Sequence, residues 1–409
     1  MTLTGLDRLQ AEPELLASFI AGDTVLHAKA GPKAGPKAGL LANPCSVTSR
    51  FKRSVEIVQR AMAFAGGELV ALFGPEHGFY GEAQAGIKVG DSRDRMTGLP
   101  VHSLYGEARK IDPDTLASLD LLVVDLQDVG ARPYTYLSTL DLLVGALGEL
   151  EASTGKPPLL VILDRPNPLG GMVLEGMGVA SGFESFVGAR NIPFRHGLTT
   201  GEFALFSARG RTAAVRVLPL AGWERHFLWP DTGLPWIAPS PNLPSFDSAL
   251  CYPATVLLEA TNVSEGRGTT KPFEVFGAPW MNGEELARLV DGLRLPGLAA
   301  RPLFFVPAFS KYQGERCSGI QIHVTDRRVF RPVHAGYAIL ELLRDRWAAR
   351  FEILPPSENG SRYPLDLLSG NGLASSGAGI AALRAKALET ETEFHEARAS
   401  FLLYPETTQ

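Results

Sequence analysis

The chain has 409 residues, of which 45% are hydrophobic and 20% charged, and 39 Lys and Arg against 44 Asp and Glu give a formal net charge of −5. This balance lacks the basic surface that nucleic-acid binding needs, and no apolar run reaches the ~18–20 residues of a membrane span. The three cysteines share no CxxC spacing, so neither a disulfide framework nor a Cys-rich zinc site is expected. The N-terminal sequence does not resemble an export signal, and we expect a cytoplasmic protein of about two domains.

A short repeat near the N-terminus is low in complexity. Residues 29–39 read KAGPKAGPKAG, and this composition of Gly, Pro and Lys cannot build a packed core. No strand is predicted before the repeat and no GKS or GKT closes it, so it does not match a phosphate-binding loop. We expect a solvated loop at this place.

Short apolar runs alternate with helical patterns through the first half of the chain. The runs predict strands at residues 39–42, 69–73, 121–126, 159–163 and 215–218. Between two of them, Leu140, Leu143 and Leu147 recur at helical spacing, and further on Thr199 with Glu202 forms a capping box. Strands that alternate with helices of this length predict an α/β fold with a mostly parallel sheet.

The sequence changes character after about residue 230, where a Pro-rich stretch with two Trp predicts a packed connector. Ile320, Ile322 and Val324 alternate with polar residues, which is the period of a half-buried strand. Helical patterns follow at residues 333–347 and 380–403. We therefore predict a first domain over residues 1–240 and a smaller α+β domain over residues 241–409.

Polar segments rich in Gly and Pro directly follow four of the predicted strands, at residues 43–46, 74–78, 125–132 and 164–168. Because the carboxyl ends of parallel strands meet at one edge of a sheet, these segments predict a single ligand crevice. No G-x-G-x-x-G sequence follows a strand, and residues 265–271 lack the spacing of a P-loop. A nucleotide cofactor is therefore not expected.

Glu76 is the best candidate for general acid/base chemistry. It follows an apolar strand and stands between Gly74 and Gly78, which permit a tight turn that presents the side chain to a ligand. Partial desolvation at such a place suits a carboxyl group to proton transfer, a contribution typically worth ~10²- to 10⁴-fold in rate. The alternative is that Glu76 caps a helix or ties down its own loop.

Other side chains near the predicted crevice each have two interpretations. His77 has no metal-binding motif around it, so we expect it to orient its loop. Asp125 and Asp128 are either a second carboxylate for catalysis or turn formers after a strand. Arg132 and Arg267 either bind a substrate carboxylate through two hydrogen bonds or form ion pairs within the protein.

Several long strings, spread in order along the chain, are similar to the exo-β-N-acetylmuramidase family of peptidoglycan hexosaminidases. The similarity runs from about residue 39 to residue 405. The strings that carry it are ALFGPEHGFYGEAQAG (71–86), GLPVHSLYGEARKI (98–111), DLLVVDLQDVGARPYTYLST (120–139), LVILDRPNPLGG (160–171), PFRHGLTTGE (193–202), ATNVSEGRGTTKPFEVFGAPW (260–280) and FSKYQGERCSGIQIHVTD (309–326).

The resemblance implies a Rossmann-like domain with a cleft against a second domain, and no cofactor. It also implies release of N-acetylmuramic acid from the non-reducing end of peptidoglycan fragments, a saccharide substrate rather than a nucleic acid. The family's proposed general acid/base corresponds to Glu76, which stands in the GPEHG string. The other cleft residues that we carry over are the possible second carboxylates Asp125 and Asp128, and the substrate-binding candidates His77, Arg132, Asn262, Glu265 and Arg267.

Two rival functions remain compatible with the sequence. Two domains around a cleft also suit a protein that binds muropeptides or sugars without cleaving them. A metal-dependent hydrolase that uses His77, Asp125, Asp164 and His196 is the second rival, although the spacing matches no metal-binding motif.

Overall fold

A computed structural model describes residues 1–23, 35–106, 109–358 and 360–406, and it contains a seven-stranded and a three-stranded sheet. The strands are β1 Lys37–Ala42, β2 Glu68–Gly74, β3 Ser92–Arg93, β4 Pro100–Ser103, β5 Leu121–Asp125, β6 Leu159–Leu163, β7 Val215–Leu218, β8 Val275–Ala278, β9 Leu298–Phe305 and β10 Cys317–Val324. The α-helices are α1 Gly5–Ala11, α2 Glu14–Ala21, α3 Ser54–Phe64, α4 Pro113–Ala117, α5 Tyr136–Thr154, α6 Thr200–Ala208, α7 Phe246–Thr255, α8 Gly283–Gly292, α9 Pro332–Arg346, α10 Pro364–Ser369 and α11 Ile380–Arg398.

The large sheet has the strand order of a doubly wound nucleotide-binding fold. Its order is β3-β4-β2-β1-β5-β6-β7, and every neighbouring pair is parallel except β3 with β4. Without the antiparallel edge strand β3, the six parallel strands follow the order 3-2-1-4-5-6 in chain numbering, which is the Rossmann order. The fold class predicted from the sequence is therefore confirmed.

The central strands are apolar because both faces of the sheet are covered. All five residues of β5 and of β6 are buried. One face packs against α1, α2 and α3 through a cluster that includes Leu9, Leu16 and Val58, and the other face packs against α5 and α6 through a second cluster that includes Leu140 and Phe203. Continuous apolar runs are the expected sequence of strands buried in this way.

The small sheet is antiparallel, in the order β8-β10-β9. Helix α8 contributes Leu286 and Val290 to its core, and α9 contributes Ile339 and Leu343. The alternation in β10 is observed as predicted, since Ile320 and Ile322 are buried while the polar His323 is exposed. Residues 241–406 thus combine an antiparallel sheet with helices, as expected of an α+β part.

The largest hydrophobic cluster joins the two parts of the chain. It contains Phe203 and Leu198 from the first part, and Tyr252, Val333 and Phe394 from the second. Because this cluster does not divide near residue 240, the domain boundary placed there stays a prediction.

All five predicted strands of the first part are present, two with the expected bounds and three with ends that differ by one or two residues, whereas the low-complexity repeat does not behave throughout as expected. Residues 29–34 of the repeat lie outside the described residues. Lys37, Ala38 and Gly39 belong to β1, so a solvated loop is wrong for these three positions. The physical reason is that Ala38 is fully buried between β2 and β5, where a small side chain fits.

The C-terminal segment returns to the sheet of the first part. Helix α11 places Phe394 against Phe206, and Tyr404 lies further along the chain. The Tyr404 hydroxyl donates to Asp164 Oδ2 at 2.6 Å and accepts from the Leu220 backbone N–H at 2.7 Å. Two buried polar groups of the sheet therefore depend on one hydroxyl from the chain's end.

Within the described residues, no helix is both long and apolar enough to cross a membrane.

The substitution Tyr404→Phe tests this C-terminal contact. It removes the hydroxyl and leaves the Asp164 carboxylate and the Leu220 N–H each short of a buried partner, at a cost of about 1–3 kcal/mol in the free energy of unfolding. We expect a lower urea midpoint for this variant. The control is Tyr363→Phe, at an exposed tyrosine, and an unchanged midpoint for Tyr404→Phe would contradict the role of the contact.

Candidate active site

A cavity of about 900 Å³ lies where the carboxyl edge of the large sheet faces loops of the second part. Open α/β sheets bind ligands at the carboxyl ends of their strands, near the point where the strand order reverses. Residues from before and after position 250 line it together. Its polar and charged lining residues are Glu76, His77, Gln84, Tyr105, Arg109, Tyr134, Thr135, Ser185, Ser240, Tyr252, Glu259, Glu265, Arg267, Ser310 and Lys311.

Glu76 lines this cavity and is held at both carboxylate oxygens. Its Oε1 accepts from the Gly86 backbone N–H at 3.0 Å, and its Oε2 accepts from the Thr135 hydroxyl at 2.7 Å. The side chain follows β2 in a turn so tight that a Cβ on Gly74 would lie 2.5 Å from the Phe79 nitrogen. Glu76 is only 6% exposed, so its carboxyl group is largely removed from water and fixed in orientation.

His77 adopts a left-handed backbone conformation, with φ +72°, next to Glu76. Its Nδ1 lies 2.9 Å from the Ala83 carbonyl oxygen, to which the neutral ring donates a hydrogen bond. Burial lowers the pKa of His77, although the Glu76 carboxylate and the bond to Ala83 act in the opposite direction. His77 therefore fixes the loop that carries Glu76, as expected, and also lines the cavity.

Two tyrosines lie near the Glu76 carboxylate. Burial, followed by the negative charge of Glu76 and a hydrogen bond to it, raises the pKa of Tyr105. Burial, followed by the Glu259 carboxylate, raises the pKa of Tyr252 well above its usual value. Both phenols therefore keep their protons at neutral pH and act as hydrogen-bond donors toward carboxylates or substrate.

The opposite wall carries two carboxylates and two cations. Arg267 donates through Nε and Nη2 to Glu259 Oε1 at 3.2 and 2.5 Å, and its Nε lies 3.3 Å from Glu265 Oε1. Lys311 Nζ donates to Glu265 Oε2 at 3.0 Å and to the carbonyls of Leu258 and Val263. Burial raises the pKa of Glu259, and the Arg267 charge opposes this. Both cations are thus used within the protein.

Asp125 and Asp128 do not line the cavity. Asp125 is fully buried, and its two oxygens accept from Arg165 Nε at 2.5 Å and Nη2 at 3.0 Å. Asp128 Oδ2 accepts from the Gly130 N–H at 2.7 Å and lies 3.2 Å from His196 Nε2. Both aspartates brace the loops that follow the sheet.

Arg132 and Asn262 also point away from the cavity. Arg132 Nη2 donates to the carbonyls of Met177, Leu368 and Ser369, and the guanidinium is 2% exposed. Asn262 donates to the Arg350 carbonyl at 2.7 Å and accepts from the Glu352 N–H at 3.0 Å. Of the eight candidates, the structure brings together Glu76, His77, Glu265 and Arg267, whereas Asp125, Asp128, Arg132 and Asn262 support surrounding segments.

Of the four side chains of the metal-hydrolase hypothesis, Asp125, Asp164 and His196 are engaged outside the cavity, and His77, which lines it, is bound to Ala83. Asp164 accepts from Thr199, Gly201 and Tyr404, and His196 pairs with Asp128. In the ranges that the structure describes, no three His, Cys, Asp or Glu side chains gather in a geometry that could hold a metal ion. The arrangement therefore offers carboxylates and phenols for proton transfer to a polar ligand.

Sequence reasoning missed several residues of the cavity. Thr135, Tyr105 and Lys311 all lie within the strings that resemble the muramidase family, but their types gave no chemical signal of their own. Glu259 lies one residue before such a string. A search of these strings for every polar residue, rather than for strand-end carboxylates alone, would have found the first three.

Both parts of the chain match family models, and these matches establish the class. Residues 38–247 match the N-terminal model of the exo-β-N-acetylmuramidase NamZ family, and residues 250–404 match its C-terminal model. The chain belongs to this family, a family of glycosidases, as its sequence strings indicated.

Particular relatives agree with this assignment. The peptidoglycan β-N-acetylmuramidase NamZ of Bacillus subtilis is 41% identical over 371 residues, which cover 89% of this chain and 86% of that protein. Two solved structures of DUF1343 family proteins from Bacteroides fragilis are also similar. One has a TM-score of 0.83 with 31% identity and 99% of each chain covered, and the other a TM-score of 0.72 with 26% identity and 100% of each chain covered.

The position of Asp125 yields a prediction about stability. Asp125→Asn removes the negative charge and leaves the Arg165 guanidinium buried without its ion-pair partner, a change that costs about 3–5 kcal/mol in the free energy of unfolding. Because Asp125 is outside the cavity, we expect the rate per folded molecule to stay unchanged. Urea unfolding and an activity assay at low temperature measure the two effects. Asp114→Asn, at an exposed position, is the control, and a lost rate in a stable Asp125→Asn protein would restore Asp125 as a catalytic candidate.

The lowered pKa of His77 yields a prediction about pH. As pH falls below about 6.5, the unfolded chain takes up a proton on this imidazole before the folded protein does, so the wild type loses stability. His77→Asn removes this titration and retains a residue that tolerates positive φ. The wild type's melting temperature should therefore fall relative to that of His77→Asn between pH 7.5 and pH 5.

His323→Asn, at an exposed strand position, controls for loss of a surface histidine. A melting-temperature difference between wild type and His77→Asn that is the same at both pH values would show that burial of the neutral imidazole does not contribute.

Proposed function

We propose that this protein hydrolyses the β-glycosidic bond that links a non-reducing terminal N-acetylmuramic acid to the rest of a peptidoglycan fragment. The observation that carries the proposal is the Glu76 carboxyl group, buried in the cavity and held by Gly86 and Thr135. Membership of the exo-β-N-acetylmuramidase family supports the substrate class. A cavity of about 900 Å³ has room for a disaccharide.

Glu76 is the proposed general acid/base. In its protonated form it gives its proton to the glycosidic oxygen as the bond from that oxygen to C1 of the muramic acid breaks. A water molecule then supplies oxygen to C1, and the carboxylate takes a proton back from that water. The sum is addition of one water across the bond, with Glu76 returned to its starting state.

Glu259 is the proposed second carboxylate, in place of Asp125 and Asp128. Both hydrogen bonds from Arg267 fall on Glu259 Oε1, which leaves Oε2 for substrate. Glu265, in contrast, is engaged at both oxygens by Arg267 and Lys311. A carboxylate opposite the acid orients either a water molecule or the 2-acetamido group of the sugar, which can itself attack C1 in hexosaminidases.

Glu76→Gln tests the assignment directly. The amide preserves the size of the side chain but has no proton to give, so we expect the rate to fall by ~10²- to 10⁴-fold. The assay incubates each protein with MurNAc–GlcNAc and, separately, with GlcNAc–MurNAc, and measures free sugars by mass spectrometry. The wild type should release MurNAc from the first substrate only.

Glu82→Gln, an exposed glutamate six residues further along the same loop, is the matched control and should keep full activity. A Glu76→Gln protein with the wild-type rate would remove Glu76 from the mechanism. A wild type that binds MurNAc–GlcNAc but releases no product would instead indicate a sugar-binding protein.

We also propose a cytoplasmic location, which cell fractionation tests.

A further inference from the structure

The cations of the cavity differ in how their charge is used. Arg267 and Lys311 are neutralised by Glu259 and Glu265, and the remaining ammonium donors of Lys311 bind carbonyl oxygens. Arg109 also lines the cavity, yet none of the described residues gives it a carboxylate or hydrogen-bond partner. Arg109 is therefore the cavity cation whose charge is available to a ligand.

Aromatic side chains hold the Arg109 guanidinium at the cavity mouth. Its central carbon lies 4.3 Å from the centroid of the Phe186 ring and 5.6 Å from that of Tyr105. These contacts use the faces of the rings and leave the N–H groups of the guanidinium free to donate. A planar group that is held in this way, and that has no partner among the described residues, suits a carboxylate, which it can bind through two parallel hydrogen bonds.

The charge balance of the cavity also calls for an anionic ligand at this place. The lining carboxylates are Glu76, Glu259 and Glu265, whereas the lining cations other than Arg109 are Arg267 and Lys311. While Glu76 is ionised, these three carboxylates outnumber the two cations, and Arg109 supplies the further positive charge that balances them and that a sugar acid needs at this place. Arg109 lies beyond Tyr105 from Glu76, so it places positive charge away from the reacting bond.

We propose that Arg109 binds the carboxylate of the 3-O-lactyl group of N-acetylmuramic acid and thereby distinguishes this sugar from N-acetylglucosamine. The inference rests on the proposed function for its substrate and adds the residue that recognises the lactyl carboxylate. In this arrangement C1 of the sugar lies toward Glu76. The lactyl group on O3 then extends past Tyr105 toward Arg109 and Phe186. The reaction needs Glu76 next to C1, and specificity comes from the contact between the lactyl group and Arg109.

The test compares substrates that differ only at the lactyl group. Wild type, Arg109→Gln and Arg109→Lys are assayed with MurNAc–GlcNAc, with the same disaccharide carrying a lactyl carboxamide, and with GlcNAc–GlcNAc. For Arg109→Gln we expect kcat/KM on the acid to fall roughly 10- to 100-fold, mainly through KM, because a charge-assisted hydrogen-bond pair is lost. Its kcat/KM on the carboxamide should change little, and Arg109→Lys should be intermediate on the acid.

Lys110→Gln is the matched control, because it removes a neighbouring cation that pairs with Glu149 rather than with the cavity. An Arg109→Gln protein that keeps the wild-type preference for acid over carboxamide overturns the proposal. If the wild type cleaves none of the substrates, the proposed hydrolysis fails. The role of Arg109 is then decided by calorimetry with free MurNAc and GlcNAc: the role is supported if Arg109→Gln loses a preference for MurNAc that the wild type has, and it is refuted otherwise.

Discussion

Burial of charged groups at the carboxyl edge of the parallel sheet is the constraint on which the rest of the site depends. Each strand that ends there delivers polar side chains into a region from which water is excluded, and a buried charge without a partner is strongly unfavourable. In this protein, buried carboxyl groups at that edge each have a specific hydrogen-bond partner. Asp125 binds Arg165, and Asp164 binds Tyr404 from the far C-terminus. These pairs hold the loops in fixed positions around the cavity.

The same constraint separates structural carboxylates such as Asp125 from the carboxylates that we propose for the reaction. Asp125 faces a guanidinium that matches both of its oxygens, so it has no free position for a substrate. Glu76 accepts from a backbone N–H and a hydroxyl, which orient the carboxyl group without adding a positive charge to it. An ion pair with arginine opposes protonation of a carboxylate, and among the described residues Glu76 has no such pair.

How much was predictable from sequence differs between the fold and the site. Strand β6 has the predicted bounds, because an apolar run between turn signals is a direct consequence of burial. Strand β7 also has the predicted bounds, although only its last residue, Leu218, is buried. Strand β4, which lies next to the edge strand β3, was missed, since its four residues include a proline and only one buried side chain. Glu76 and His77 were found because the GPEHG string joins a strand end to glycine turns. The direction in which Asp125 or Arg132 points depends on partners distant in sequence, such as Arg165 and Ser369, and no local pattern contains that information.

The two parts of the chain contribute different chemistry, and this division explains why neither would suffice alone. The sheet part supplies Glu76 with its supports, together with Arg109 at the mouth, and the second part supplies the wall of Glu259, Glu265, Arg267 and Lys311. Because the acidic and basic groups of that wall neutralise one another, it presents directed hydrogen-bonding groups with little net charge. In the proposed reaction, Arg109, which has no ion-pair partner among the described residues, selects the sugar acid, and the buried Glu76 carboxyl group gives its proton to the glycosidic bond. If both proposals hold, selection of the substrate and cleavage of the bond depend on separate side chains of the same sheet edge, so one can change without the other.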